Sequence, residues 1–310
     1  MRPERSTDTV LAIGGEAAVA SHDGKRIAFW KTGPLGNNPQ ELRIAEIPSG
    51  AERLVTSLPQ GHAGGAIAWA NDDSGLLYEE HDPTPAGPVA GAGPKLSMLV
   101  SFDLTATQAP GETASSLMLT NGLVFIPLAW DRAGRMSTAL TTGEGGYAVD
   151  YITWDRNVQS VNQNPVKFTK FPWLLLYVTV HASPDARMSL AIDQTANVLR
   201  VWPAADIGKA GDVSPGTPRV TGAKWRPGTA RDVAWVLDNT VVGTFTYQTS
   251  NSGTIYRAQN SVRIMTWRVD GSGLVLNEGG RGTFVVEIAT GQMTALTGFG
   301  DFIAGAVFVR

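Results

Sequence analysis

The chain has 310 residues, of which 43% are apolar and 17% are charged, and its net charge of −3 provides no basic field to attract nucleic acid or an anionic membrane surface. It contains no cysteine, which excludes disulfides, thiol chemistry and a cysteine-ligated zinc site. The 35 glycines and 18 prolines suit short strands joined by turns, and the longest apolar run, residues 173–180, is too short to span a membrane.

A short turn motif recurs along the whole chain. It follows an apolar stretch, it often contains a tryptophan, and an apolar stretch of strand character comes after it. The six copies lie at residues 20–24, 69–72, 130–134, 182–185, 225–228 and 267–271. Their spacing of 42 to 61 residues is close to the length of a four-stranded propeller blade.

The first and last units show the expected four strands most clearly. In the first unit, strands are predicted at residues 26–30, 42–47 and 52–55, with a turn at 48–50 between the last two. The last unit repeats this order, with strands at 283–288 and 292–297 around a hairpin turn. A single four-stranded sheet cannot bury both faces, so the sheets must stack face to face in a ring. The sequence therefore predicts one all-β domain over residues 1–310, a β-propeller of four-stranded antiparallel blades.

These repeats resemble the TolB-like, WD-like propeller family. The resemblance rests on the turn at 182–185, the strand after it, and the ending Ala289-Thr290-Gly291-Gln292 with Leu296-Thr297. It implies the fold, which occurs in periplasmic translocation proteins, in the propellers of prolyl-peptidase-like enzymes and in extracytoplasmic sensor domains. Function varies among these classes, so the resemblance does not select one.

Both chain ends resemble partial blades. Residues 305–310 are similar to a first strand and residues 9–12 to a fourth strand. Six blades are favoured, with the two ends closing the ring; a slim seventh blade and an excised piece of a longer chain are the alternatives. Residues 1–8 lack the apolar core of a signal peptide, which fits a cytoplasmic protein or a mature segment.

The repeated tryptophans and aspartates are interpreted as structural. Trp69, Trp130, Trp225 and Trp267 occupy one repeat position, where an aromatic side chain would fill the space between blades. The turn aspartates are expected to accept hydrogen bonds from nearby backbone N–H groups; they are Asp23, Asp72, Asp185 and Asp270.

Binding is expected on the face where second and third strands connect. In the second unit this connection, residues 79–94, is long and rich in Gly, Pro and Ala, and is predicted to be an irregular loop. It begins with Glu79, Glu80, His81 and Asp82, which could bind a divalent cation or perform acid–base chemistry, although a solvated acidic rim is favoured. The matching loops add further candidates, namely Glu144, Asp193, Glu278 and Arg281.

His181 ends a first strand near the expected central channel, where it could act as a base or ligand, although a structural role is favoured. The sequence has no His-x-x-x-His spacing, no Gly-x-Ser-x-Gly nucleophile elbow and no phosphate-binding loop. We therefore expect no catalytic residues, cofactor or metal.

The sequence favours a non-catalytic binding or sensor propeller for a protein, peptide or glycan. The alternatives are a propeller hydrolase or lyase that uses channel carboxylates with His81 or His181, and a structural spacer in a larger regulator. An extracytoplasmic location is expected, with a cytoplasmic one as the alternative.

Overall fold

The computed structural model describes a ring of six four-stranded antiparallel sheets. The described residues are 15–31, 39–47, 49–85, 94–105, 114–120, 124–133, 136–142, 148–155, 166–175, 180–213, 218–229, 231–247, 249 and 251–296. Within them, no helix is long and apolar enough to cross a membrane. The single helical element of this part of the chain is a 3-10 turn at Ile207–Lys209.

Each blade is formed by four strands that follow one another along the chain. Blade 1 comprises β1 (Gly15–Ala20), β2 (Arg26–Lys31), β3 (Glu41–Glu46) and β4 (Glu52–Ser57). Blade 2 comprises β5 (Ala63–Trp69), β6 (Gly75–Pro85), β7 (Pro94–Asp103) and β8 (Ala114–Thr120). Blade 3 comprises β9 (Phe125–Asp131), β10 (Met136–Thr142), β11 (Ala148–Asp155) and β12 (Val166–Leu175).

The second half of the ring repeats this order. Blade 4 comprises β13 (Val180–Ala182), β14 (Met188–Asp193), β15 (Val198–Pro203) and β16 (Gly211–Asp212). Blade 5 comprises β17 (Val220–Trp225), β18 (Asp232–Leu237), β19 (Val241–Thr246) and β20 (Asn251–Arg257). Blade 6 comprises β21 (Val262–Trp267), β22 (Gly273–Glu278), β23 (Gly282–Glu287) and β24 (Met293–Ala295). The prediction of six four-stranded blades is confirmed.

The antiparallel order gives the ring two different faces. We call the face that carries the connections between second and third strands, and between successive blades, the loop face. The opposite turn face carries the repeated Asp turns and the hairpins between third and fourth strands. From blade 1 to blade 6, the first strand of each blade contacts the first strand of the next one. Residues of blades 1, 4, 5 and 6 line one opening of the central channel that these strands surround.

The hydrophobic core is divided among the spaces between blades. Five buried clusters join neighbouring blades from the first to the sixth. Between blades 1 and 2, for example, Trp30 packs edge-on against Tyr78, with ring centroids 5.4 Å apart. This is the face-to-face stacking that a sheet with two apolar faces requires.

The repeated tryptophans lie in these spaces and also bind the backbone of the preceding blade. All four are at most 6% exposed. Three of the indole Nε1–H groups donate to a first-strand carbonyl of the neighbouring blade: Trp69 to Val19 O at 3.0 Å, Trp225 to His181 O at 2.9 Å and Trp267 to Lys224 O at 3.2 Å. The predicted packing role is therefore confirmed.

The repeated aspartates stabilise the turns, as predicted. The side chains of Asp23, Asp72, Asp185 and Asp270 each accept a hydrogen bond from the backbone N–H two residues later. One of these turns also closes the ring. A Cβ built on Gly24, whose φ is +68°, would lie 3.0 Å from Val269 Cγ2, so blade 1 meets blade 6 on the turn face.

The strand predictions need two corrections, and part of them lies outside the described residues. The stretch 79–94 was predicted to be an irregular loop, but β6 continues to Pro85 and β7 begins at Pro94. The last fourth strand is shorter than expected, at Met293–Ala295. Residues 9–12 and 305–310 lie outside the described part, so their role in closure and the assignment of 1–310 to one domain stay predictions.

Candidate functional site

The four candidate residues of blade 2 belong to strand β6 and are mostly buried. Glu79 is 0% exposed and Glu80 is 7% exposed, so the expectation of a solvated acidic rim is wrong for both. A run of four polar residues favours a loop when it is read locally, but here the backbone pairs with β7 in register and the carboxylates find partners inside the blade.

Glu79 is held by two neighbouring side chains. The Ser97 hydroxyl donates to Glu79 Oε1 at 2.9 Å, and His81 Nδ1 lies 2.9 Å from Glu79 Oε2. Burial raises the pKa of Glu79 above its ordinary value. The carboxylate occupies space that Gly65 leaves open, since a Cβ on that glycine would lie 2.1 Å from Glu79 Oε2. We call Glu79, His81 and Ser97 the blade-2 network.

The remaining acids of blade 2 are also bound locally. Glu80 Oε1 lies 2.7 Å from His62 Nδ1. Asp82 accepts a hydrogen bond from the Thr84 backbone at 2.9 Å. Because Glu80 and Asp82 bind different partners, their carboxylates do not come together at one point, as a metal site would require.

The candidates of blades 4 and 6 form two separate groups. Asp193, 2% exposed, accepts two hydrogen bonds from Arg200 at 2.8 and 3.0 Å, and the backbone N–H groups of Thr195 and Ala196 donate to it. These contacts lower the pKa of Asp193 against the effect of burial, which alone would raise it.

Glu278, also 2% exposed, is bound by groups of its own surroundings. It accepts hydrogen bonds from the Tyr256 hydroxyl at 2.5 Å and from the Gln259 backbone at 2.7 Å. Arg281 Nη1 lies 3.9 Å from Glu278 and donates to the Tyr256 hydroxyl at 2.8 Å.

The sequence candidates are therefore not assembled into one site. The candidate acids of blades 2, 4 and 6 each bind neighbouring groups of their own part of the ring. Glu144 lies outside the described residues. Among the residues that the structure describes, no group of three His, Asp or Glu side chains could hold a metal ion. Their role in binding stays a prediction.

A different set of residues lines the central channel. The position just before the turn motif of each blade faces the channel in all six copies, and we call these residues the channel ring: Val19, Ala68, Ala129, His181, Lys224 and Thr266. Four members are small or apolar. The two titratable members, His181 and Lys224, come from the adjacent blades 4 and 5.

The channel widens into a cavity of about 590 Å³ between blades 4, 5 and 6, on the loop face. We call it the mouth cavity. Leu190, Ile192, Val236, Val262 and Ile264 provide its apolar wall, while Gln194, Thr221, Asn239, Ser261, Arg263, Lys224 and His181 provide polar groups. A smaller cavity of about 290 Å³ on the turn face is also lined by His181 and Lys224, which places both residues between the two openings.

The charged side chains that line the mouth cavity in the described part of the chain are basic. None of the described residues that line it is Asp or Glu. Burial lowers the pKa of Lys224 below its ordinary value. Burial, together with the positive charge of Lys224, lowers the pKa of His181 to about 4, so His181 is neutral at pH 7 and the charge of the cavity comes from Lys224 and Arg263.

Sequence reasoning placed His181 near the channel but missed Lys224 and Arg263. A signal for Lys224 was present, because it directly precedes the repeated tryptophan where the other blades have an apolar or small residue or His181. Arg263 has no such signal, since the residue four positions before the repeated tryptophan differs in type from blade to blade.

The comparison with known proteins gives the fold and no more. No protein-family model and no curated protein matches the chain. Three similar solved structures are a prolyl endopeptidase (14% identity, TM-score 0.64), TolB from Acinetobacter baumannii (14%, 0.53) and the Cps50 (Swd1) propeller domain of Myceliophteria thermophila (10%, 0.55).

The alignments cover almost the whole of this chain but differ in how much of each neighbour they include. The chain is covered at 94%, 88% and 91%, while the shares of the three neighbours are 44%, 63% and 86% in the same order. The chain thus spans less than two thirds of the endopeptidase and of TolB. The TolB-like and WD-like character of the repeats is confirmed, and the fold is one that peptidase domains and binding proteins share.

Proposed function

We propose that the chain is a non-catalytic binding module that receives a peptide segment of a protein partner in the mouth cavity on its loop face. The observation that carries this proposal is the cavity itself, with its volume of about 590 Å³. Small-molecule sites commonly have about 300–1,000 Å³, an apolar wall and a few polar groups, so the mouth cavity is large enough to receive side chains of a peptide. The sequence proposal of a binding propeller is kept, but its site moves from blade 2 to blades 4, 5 and 6.

The walls of the cavity favour a peptide over a glycan. The described lining combines aliphatic side chains such as Ile192 and Ile264 with amide and hydroxyl groups, and it contains no Phe, Tyr or Trp ring on which a sugar could stack. A short peptide fits such a surface, because its side chains can contact the apolar groups while its backbone forms hydrogen bonds with the polar ones.

The alternative of a hydrolase or lyase has little support in this cavity. Its described lining contains no carboxylate, so the channel carboxylates that such an enzyme would use are missing from it, and its titratable side chains are His181, Lys224 and Arg263. A histidine with a pKa of about 4 is a weak base at neutral pH. The expected extracytoplasmic location and membership of a larger regulator remain proposals.

The test is selection of peptides from a random displayed library on the immobilised protein, followed by affinity measurements on three forms. Ser261→Trp places a bulky ring at the cavity rim, and Ser252→Trp places the same ring on the exposed outer strand β20. We expect selected peptides to lose at least tenfold in affinity with Ser261→Trp and less than twofold with Ser252→Trp.

Both variants must first show the circular dichroism and melting temperature of the unsubstituted protein. If correctly folded protein enriches no peptide, or if the enriched peptides bind Ser261→Trp unchanged, the mouth cavity is not the binding site.

A further inference from the structure

We infer that the mouth cavity selects a carboxylate, presented by a peptide, and holds it between Lys224 and Arg263. This deepens the proposed function, on which it rests, by naming the chemical group that the cavity recognises. The group can come from a chain terminus or from an Asp or Glu side chain, and the experiment below separates these two sources.

The two cations line the mouth cavity at different depths. Lys224 lies in the channel ring on β17, and the Trp267 indole fixes its backbone by donating to Lys224 O at 3.2 Å. Arg263 lies near the opposite end of the neighbouring strand β21 and is exposed at the rim. The same cavity is therefore lined by one cation at its entrance and another deeper in the channel.

These two charges are not neutralised by any acidic side chain of the described part of the chain. Within the described residues, no carboxylate forms an ion pair with Lys224 or with Arg263. The carboxylates of the adjacent blades are already engaged, Asp193 by Arg200 and Glu278 by Tyr256 and Arg281. The exposed Asp238 accepts a hydrogen bond from the Arg219 backbone at 2.9 Å, outside the cavity lining.

The ammonium group of Lys224 is destabilising in the channel wall unless a counter-charge binds it. A partly buried ammonium group without a partner loses hydration and gains nothing in return, so it is a costly feature to keep in a channel wall. A bound carboxylate would supply the missing counter-charge in a cavity where the low local dielectric strengthens the pairing. The hydroxyl group of Ser261 and the side-chain amide of Asn239 could donate to the second carboxylate oxygen or to the adjoining peptide group.

The geometry also suggests an order of events. Arg263 at the solvent-exposed rim attracts an anionic segment as it approaches, and this attraction is weakened by salt. Lys224, deeper and less hydrated, provides the contact that decides affinity. The neutral His181 beside it adds no competing charge at pH 7.

The experiment uses three small probes that do not depend on a partner's sequence. N-acetylalanine presents a terminal carboxylate, N-acetylglutamate α-amide presents a side-chain carboxylate, and N-acetylalanine amide is the neutral control. Binding to the full chain is followed by the Cε1–H NMR signal of His181, one of only four histidines, which is assigned by its loss in His181→Gln.

We expect one or both carboxylate probes to shift the His181 signal with saturation at millimolar concentrations, and the neutral amide to leave it unchanged. Lys224→Met should weaken the carboxylate probe about tenfold or more. Arg263→Gln should weaken it about two- to fivefold, with a smaller dependence on salt than in the unsubstituted protein. Lys25→Met removes an exposed charge on the turn face and should change nothing.

Each outcome separates the two proposals. Equal shifts with the acid and the amide probes, or a carboxylate affinity that Lys224→Met does not change, would overturn the carboxylate inference even if peptides bind the cavity. A carboxylate response without any peptide in the library selection would support the anion site and overturn the peptide-binding function. Preference for one acid probe identifies the source of the group.

Discussion

The blade-2 network and the channel pair of His181 and Lys224 both place titratable side chains away from bulk water. They differ in whether these side chains have hydrogen-bonding or charged partners inside the protein. Glu79 is fully buried, and Ser97 and His81 bind its carboxylate at 2.9 Å each. Lys224 faces a cavity, and the structure describes no carboxylate that pairs with it. The comparison indicates that the first arrangement maintains the fold and that the second is available for a ligand.

The physical reason is the cost of burying charge. Burying a polar group that is fully hydrogen-bonded changes the free energy of unfolding little. Burying the same group without partners lowers the free energy of unfolding by about 1–3 kcal/mol. Removing one member of the blade-2 network should therefore lower the stability of the fold clearly, whereas removing the charge of Lys224 should not. The following three predictions test this difference, from the largest expected effect to the smallest.

Substitution of Glu79 by Ala should destabilise the protein by about 3 kcal/mol. The change leaves the Ser97 hydroxyl and His81 without their acceptor and opens a cavity next to Gly65. Glu79→Gln keeps the shape and an acceptor oxygen, so it should cost only about 1 kcal/mol. Urea denaturation at pH 7 measures both values. Similar losses for the two variants would show that the hydrogen bonds of this network contribute little.

Acidification should destabilise the protein through His181. Its pKa in the folded state, about 4, lies below its ordinary value of 6.5, so between these pH values the unfolded chain binds more protons than the folded one. The stability contributed by the neutral side chain is therefore complete above about pH 6.5 and is lost as the pH falls toward 4. The loss amounts to at most about 3 kcal/mol, because each pKa unit corresponds to about 1.4 kcal/mol.

The measurement is the difference in unfolding free energy between the unsubstituted protein and His181→Gln from pH 8 to pH 4. Titrating carboxylates elsewhere affect both proteins and cancel in this difference. A difference that stays constant across the range would mean that His181 is protonated as easily in the folded channel as in the unfolded chain.

Substitution of Lys224 by Met should change stability by less than about 1 kcal/mol, and in the stabilising direction. Met keeps most of the apolar stem and removes a desolvated charge. The same change should raise the pKa of His181, since the nearby positive charge helps to keep it low. Urea denaturation and an NMR pH titration measure the two effects. A clear loss of stability would instead assign Lys224 a structural role in the channel.

The repeat explains why much of the fold could be predicted. A turn that recurs six times specifies the local structure at every copy, and the tryptophan at a fixed place in four of the copies specifies how those blades pack. Trp69, Trp225 and Trp267 accordingly make the same contact with the preceding blade. The prediction was wrong at residues 79–82, because a polar run resembles a loop unless the partners that satisfy it are known, and Glu79 finds Ser97 on the neighbouring strand β7.

The sequence by itself thus determined the type of unit and the need to close the units into a ring, and it favoured six units over seven. These results follow from periodic apolar residues and from sheets that cannot bury both faces alone. Only the tertiary structure decided which polar residues share a site. The candidates Asp193 and Glu278 became internally paired, whereas Lys224 and Arg263, which lie in different repeats, came to line one cavity. The reason is that a charge acts through its spatial neighbours, and the packing of one blade against the next selects those neighbours.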